Sequence, residues 1–278
     1  MKFGTLQNVL EATLEDVFAI AAQLGFDGVE LDWNDLAEAQ EGGPLAHERR
    51  EVLRAAARSA GVEIASVAAH FLNQGGLASA DAEQQRLGIA AVQEGLRLCQ
   101  DLGARVLLVP FFSKGHIAGQ EGIERLANNL RLLAPEAELA RVRLGIEGML
   151  PAHEVVALLD AVGSPFIGAY FDMANGMGLG YDPVKEVETL GRHIVQVHAK
   201  EFVAGGEPAG SREKPRFDLL NKRPLGESDV PVREIVQALQ RTGYDGYIVL
   251  ETGTFGDPQA SARAALDVLR ALTGTPAA

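Results

Sequence analysis

The chain has 278 residues, 47% hydrophobic and 23% charged, ordinary globular proportions with ample length for a core. A net charge of −13, with Lys and Arg scattered, argues against a nucleic-acid partner, and a single cysteine, Cys99, excludes any intrachain disulfide and fits a reducing compartment. No segment approaches the roughly 18 apolar residues of a membrane span and no signal-peptide apolar run opens the chain, so the expectation is a cytoplasmic protein without a membrane partner.

A loose repeat runs through the chain: amphipathic helix, glycine, short apolar strand. After an opening strand KFGTLQ, a helix is expected from Thr13, with Asp16 three residues on as in a capping box. Its face carries Leu14, Val17, Ala21 and Leu24, and Gly25 is placed to end it in a left-handed cap before the strand DGVELDW. The pattern recurs as Gly61 then VEIASVAAH, as Gly103 then ARVLLVPFF, and as Gly243 then YDGYIVLET. Between them lie helical faces such as Ile123, Leu126, Ala127, Leu130, Leu133 and Val232, Ile235, Val236, Leu239. Cys99 shares such a face with Val92, Leu96 and Leu102, which predicts a core thiol rather than a nucleophile. Strands at 142–149, 167–174 and 194–202 bring the total to eight, and residues 258–272 form the last helix. Continuously apolar strands in strict alternation with helices imply a parallel sheet covered on both faces. Eight such units close into a (β/α)₈ barrel, a TIM barrel, as a single domain over 1–278. An open doubly wound sheet is the alternative, but no GxGxxG follows the first strand. One connection, Val203 to Val230, is long and rich in Gly, Pro and charge, which suits a lid or binding loop, and the tail TGTPAA reads as frayed.

Four of these strands end on a residue that an apolar strand ought not to carry: Glu147 in RLGIEGM, Asp172 in AYFDMANG, His198 in VQVHAKEF and Glu251 in YIVLETG. Burying such groups unpaired costs several kcal/mol, about 2–7 for a polar group alone, and one divalent cation would neutralise them together. Three carboxylates and an imidazole suit Mn²⁺ or Mg²⁺ and tolerate Zn²⁺ or Co²⁺. Barrel active sites lie at the C-terminal ends of strands, which is where all four fall, on successive strands five to eight.

The strings GIEGM, FDMANG, VHAKEF, LGESDV and VLETG resemble the xylose isomerase-like barrel superfamily, and within it the sugar-phosphate isomerase/epimerase branch with its ketose 3-epimerases and hydroxypyruvate isomerases. The resemblance implies that Glu147, Asp172, His198 and Glu251 bind one Mn²⁺-like ion. It implies too that Glu147 and Glu251 act as the acid/base pair on a sugar or sugar phosphate. Such enzymes abstract a proton next to a carbonyl through a metal-stabilised enediolate; return to the opposite face epimerises, and delivery to the neighbouring carbon isomerises. A partner is expected for the other ring nitrogen of His198. Relatives often pair, which leaves a homo-oligomer open. Two departures stand out: epimerases of this group often carry His three residues after the strand-six Asp, here Asn175, and tend to carry Arg six past the strand-seven His, here Ala204. Asn175 suits a sugar hydroxyl, and Arg212 or Arg216 suits the missing arginine's place.

Glu30 and His70, closing strands two and three at the same mouth, are expected to touch substrate or orient a ligand. Lys200, two after His198 and so on its side of the strand, is expected to face an oxygen or phosphate of the substrate or to balance the carboxylates. Trp33 reads as packing or an apolar wall for the sugar, His116 as a rim residue, His193 as part of the opposite face, and His47 and His153 as solvated. The competing functions are an inosose-type dehydratase, an endonuclease IV-like hydrolase and a barrel that only binds sugar. Asn175 and the run Asp229-Val230-Pro231 lack the extra histidines the endonuclease needs, and two opposed carboxylates are more than binding requires.

Overall fold

A computed structural model describes residues 1–201, 203 and 223–274. Eight strands alternate with eight helices: β1 Lys2–Leu6, α1 Val17–Leu24, β2 Gly28–Asp32, α2 His47–Ala60, β3 Glu63–Ala68, α3 Ala82–Leu102, β4 Val106–Phe111, α4 Gly119–Ala140, β5 Arg143–Gly148, α5 Ala152–Val162, β6 Ile167–Asp172, α6 Pro183–Leu190, β7 Ile194–Ala199, α7 Val232–Arg241, β8 Tyr247–Leu250 and α8 Pro258–Thr273. All strands pair in parallel, each with its sequence neighbours, and β8 closes on β1. The chain is thus a (β/α)₈ barrel, as the eight repeats require.

Each helix buries one apolar stripe against the barrel; in α7 that stripe is Val232, Ile235, Val236 and Leu239, all buried. Gly25 ends α1 at φ 90°, a left-handed conformation that a side chain would strain. The start of α1 differs from expectation. Thr13 Oγ donates to Asp16 and accepts from its backbone N–H, so Thr13 opens a turn and the regular helix begins at Val17. Cys99 lies buried on α3 with Val92, Leu96 and Leu102. Among the described residues, no helix is long and apolar enough to cross a membrane.

Side chains alternate along each strand, so one set of every second residue points at the barrel axis. Contacts between strands that are not neighbours identify that set. Glu30 of β2 touches Tyr170 of β6 and His198 of β7, which is only feasible across the interior. Glu30 and Asp32, Tyr170 and Asp172, Gln196 and His198 are therefore axial pairs, each two residues apart. Gly145 occupies the axial place two before Glu147; a Cβ there would lie 2.9 Å from the ring of Tyr170, so glycine makes room for the tyrosine.

The connection from Val203 to Val230 falls largely outside the described residues, as do Ala204, Arg212 and Arg216, and so does the tail beyond Gly274.

Candidate metal and active site

The register of the barrel brings four expected ligands to one point. Asp172, the last residue of β6, pairs with His198 of β7, and Glu147 occupies the penultimate place of β5. Glu251 lies one residue beyond β8, but its N–H still donates to Ala199 O at 3.0 Å, so the ladder carries it to the same level. One ligand atom from each of the four lies within 4.8 Å of the others, a group able to hold a metal ion.

Their hydrogen bonds leave specific atoms uncommitted. Asp172 Oδ1 accepts from the N–H groups of Ala174 and Asn175, at 2.7 and 2.6 Å. Glu147 Oε1 accepts from Asn175 Nδ2 at 3.0 Å, and Glu251 Oε1 faces Lys200 Nζ at 3.0 Å. Asp172 Oδ2 is buried without a hydrogen-bond partner, and His198 Nδ1 and Glu251 Oε2, buried too, have only each other as an ion pair at 3.1 Å, with Glu147 Oε1 3.5 Å from Nδ1. Buried polar atoms are normally hydrogen-bonded, so these three, gathered beside Glu147, are the atoms a cation could engage.

The electrostatics agree. Burial pushes the Asp172 carboxyl up to about 7, with Glu251 and Glu147 adding to the rise against Lys200. Burial also penalises the ions of Glu251, His198 and Lys200, but each is overruled by its neighbours. Lys200 and His198 hold Glu251 below the usual carboxylate range. Glu30 and Glu251 hold the His198 imidazolium well above its usual range, and Glu251 and Asp172 do the same for Lys200. Without a cation, negative charge is in excess around one imidazole and one ammonium.

The other expected site residues separate into two sets. Lys200 lies on the same side of β7 as His198, as strand alternation requires, and pairs with Glu251. Asn175 is buried and donates from Nδ2 to Glu147 Oε1 at 3.0 Å. His70, partly exposed at the mouth, pairs through Nδ1 with Asp32 Oδ1 at 3.0 Å, which holds its imidazolium above the usual range despite burial. Of the two roles expected for Glu30, substrate contact or orientation of a ligand, its contacts match the second. It is 0% exposed, its Oε2 accepts from Ser66 and Tyr170 hydroxyls, and its Oε1 meets His198 Nε2 at 2.7 Å. It is the expected partner for the second ring nitrogen of His198.

Ser66, Tyr170 and Gln196 escaped the sequence reading. Gln196 carried a signal, as a polar residue inside an apolar strand two before His198. Trp33 is fully buried, edge-on to Phe71 at 4.8 Å, so it packs and forms no wall for a sugar. His116 is exposed and bonded to Ser113 O, His193 precedes β7 at the far end of the barrel, and His47 and His153 are exposed on helices.

Several proteins similar to this chain are epimerases by name. The chain is 32% identical over 170 residues to a 2-epi-5-epi-valiolone 7-phosphate 2-epimerase of Actinoplanes sp., a match covering 59% of this chain and 58% of that protein. It is 24% identical over 260 residues to an L-ribulose-5-phosphate 3-epimerase of Escherichia coli, covering 91% of this chain and 87% of the other. In fold it is similar to a D-psicose 3-epimerase crystallised in the presence of D-fructose, with TM-score 0.78, 19% identity and coverage of 99% and 100% of the two chains. An L-ribulose 3-epimerase superposes with TM-score 0.77, 19% identity and coverage of 99% and 95%. A family model described as xylose isomerase-like TIM barrel matches residues 18–272, nearly the whole chain: the protein belongs to the xylose isomerase-like TIM-barrel family.

Proposed function

We propose that the protein is a sugar or sugar-phosphate epimerase that works with one divalent metal, Mn²⁺ or Mg²⁺ by the chemistry of its donors. The observation that carries this reading is the convergence of Glu147, Asp172, His198 and Glu251 on one point, with Asp172 Oδ2 buried there without a hydrogen-bond partner. Three carboxylates and an imidazole are the donors a hard divalent cation selects. Metal bound there would supply Lewis acidity toward the carbonyl oxygen of a hydroxy-ketone.

The chain's own residues do the rest. Glu147 and Glu251 come from strands separated by β6 and β7, so they approach the cluster from different sides. Lys200 and Asn175 each fix one carboxylate oxygen of this pair. Glu251, kept ionised by Lys200 and His198, is ready to accept a proton from the carbon next to the carbonyl. Protonation of the opposite face by Glu147 inverts that carbon; the reverse direction exchanges the two roles. His70 with Asp32, at the same mouth, is placed to bond a substrate hydroxyl. Named epimerases among the relatives support this outcome over isomerisation or dehydration.

The test is product analysis after incubating Mn²⁺-loaded protein with ketoses and ketose 5-phosphates. An epimer of unchanged mass supports the proposal. A product lighter by one water would instead establish the dehydratase.

A further inference from the structure

The contacts below His198 have a direction. Gln196 Nε2 donates to Ser66 Oγ at 2.6 Å and to Tyr170 OH at 2.9 Å, so its two amide protons are used. Each hydroxyl has one proton, and both are spent on Glu30 Oε2, at 2.5 and 2.6 Å. Glu30 Oε1 is left to accept from His198 Nε2 at 2.7 Å. The opposite order fails: a Gln196 carbonyl facing the hydroxyls would draw off both protons and leave a buried carboxylate oxygen without donors. Gln196 is 2% exposed and Glu30 wholly buried, so water does not relieve that cost. The ring of Tyr170 also lies against that of His198, centroids 4.4 Å apart, limiting rotation of the imidazole.

We propose that Gln196, Ser66, Tyr170 and Glu30 form a one-way relay that holds a proton on His198 Nε2, so that Nδ1, 3.1 Å from Glu251 Oε2, is the nitrogen left to the metal cluster. Gln196 is thereby a positioning residue, acting on the cluster through three others. The inference rests on the metal reading of that cluster, and it yields a reversal that shape alone would not. In Glu30→Gln the outline is kept, but the two hydroxyl protons select the new carbonyl oxygen. The new NH₂ then faces His198 Nε2, which must become an acceptor, and the ring proton moves to Nδ1, where it blocks ligation. Adding Gln196→Glu moves the carboxylate to the other end of the relay at constant charge. Both hydroxyls then donate to position 196, the amide at position 30 turns its NH₂ toward them, and its carbonyl again accepts from His198 Nε2.

The experiment measures Zn²⁺ affinity by chelator competition, and the ¹⁵N ring shifts of His198, in wild type, Glu30→Gln and Glu30→Gln/Gln196→Glu. The single variant should lose about 10–100-fold in affinity, the usual cost of disturbing a ligand's partner, with its ring proton on Nδ1. The double variant should regain most of that loss with the proton back on Nε2. A merely structural role predicts that the second substitution adds damage. Wild type that binds Zn²⁺, with a double variant no better than the single, overturns this proposal alone; wild type without Zn²⁺ affinity overturns the metal reading as well. If the variants do not fold, Zn²⁺-loaded wild type decides: an Nε2 proton whose signal carries the downfield shift of a bond to a carboxylate upholds the relay, and a ring proton on Nδ1 refutes it.

Discussion

Asn175→Ala isolates one hydrogen bond of the candidate site. The substitution removes the 3.0 Å bond from Nδ2 to Glu147 Oε1. It leaves the backbone N–H of residue 175 on Asp172 Oδ1, so the ligand arrangement at Asp172 is retained. A hydrogen bond to a charged group is worth about 1.5–3 kcal/mol. At about 1.4 kcal/mol per factor of ten, that is roughly a 10- to 150-fold effect. It should fall on turnover, because Glu147 is both a proposed ligand and a proton carrier, and the amide holds the oxygen that its rotation would move. The assay is epimer formation over a range of sugar concentrations, with thermal unfolding alongside. Turnover should drop with little change in KM, and Asn175→His, which keeps a donor, should lose less. Unchanged turnover in Asn175→Ala would show that the amide does not hold Glu147 in its working position.

Four further outcomes are expected. Glu251→Gln should slow proton exchange at the reacting carbon by about 10²–10⁴-fold while sugar binding survives; retained exchange removes Glu251 from proton transfer. The Asp172 carboxyl, pushed up to about 7, holds a proton that a cation must displace, so Mn²⁺ affinity measured by calorimetry should fall as pH drops below about 7. Its sign for the metal-free protein is opposite: stability present below the usual Asp range is lost as pH rises through about 7, so a flat profile in either measurement contradicts the assignment. Burial pushes the Cys99 thiol up, so a thiol reagent should label the protein only on unfolding, and prompt labelling of the native protein would contradict its core position.

The barrel and the cluster of Glu147, Asp172, His198 and Glu251 were legible because both rest on periodicity along single strands. Helix, glycine and apolar strand repeat with the chain, and a charged residue closing an apolar strand is visible wherever it occurs. What joins strands across the interior leaves no such trace. Glu30 could be placed at the mouth from its strand alone, but its partners Tyr170 and His198 lie 140 and 168 residues away, so its burial under the cluster emerges only on closure. Gln196 was the readable exception, since an amide inside an apolar strand needs partners. Trp33 was ambiguous for a related reason: whether a strand-end aromatic faces the mouth or a helix depends on its neighbour, here Phe71. Asn175 sits three residues past Asp172, where the turn after β6 aims its amide back at Glu147, a geometry the spacing alone does not specify.

If the cluster of Glu147, Asp172, His198 and Glu251 binds a divalent cation and supports proton transfer at the carbon beside a ketose carbonyl, hydrogen there exchanges with solvent. Incubation with a panel of ketoses and ketose phosphates in D₂O, followed by NMR, reads that exchange. Mn²⁺-loaded protein should place deuterium on that carbon, at a position that identifies the epimerised centre, and EDTA-treated protein should not. Deuterium incorporation that persists without metal, or its absence across the panel with metal firmly bound, would contradict the account.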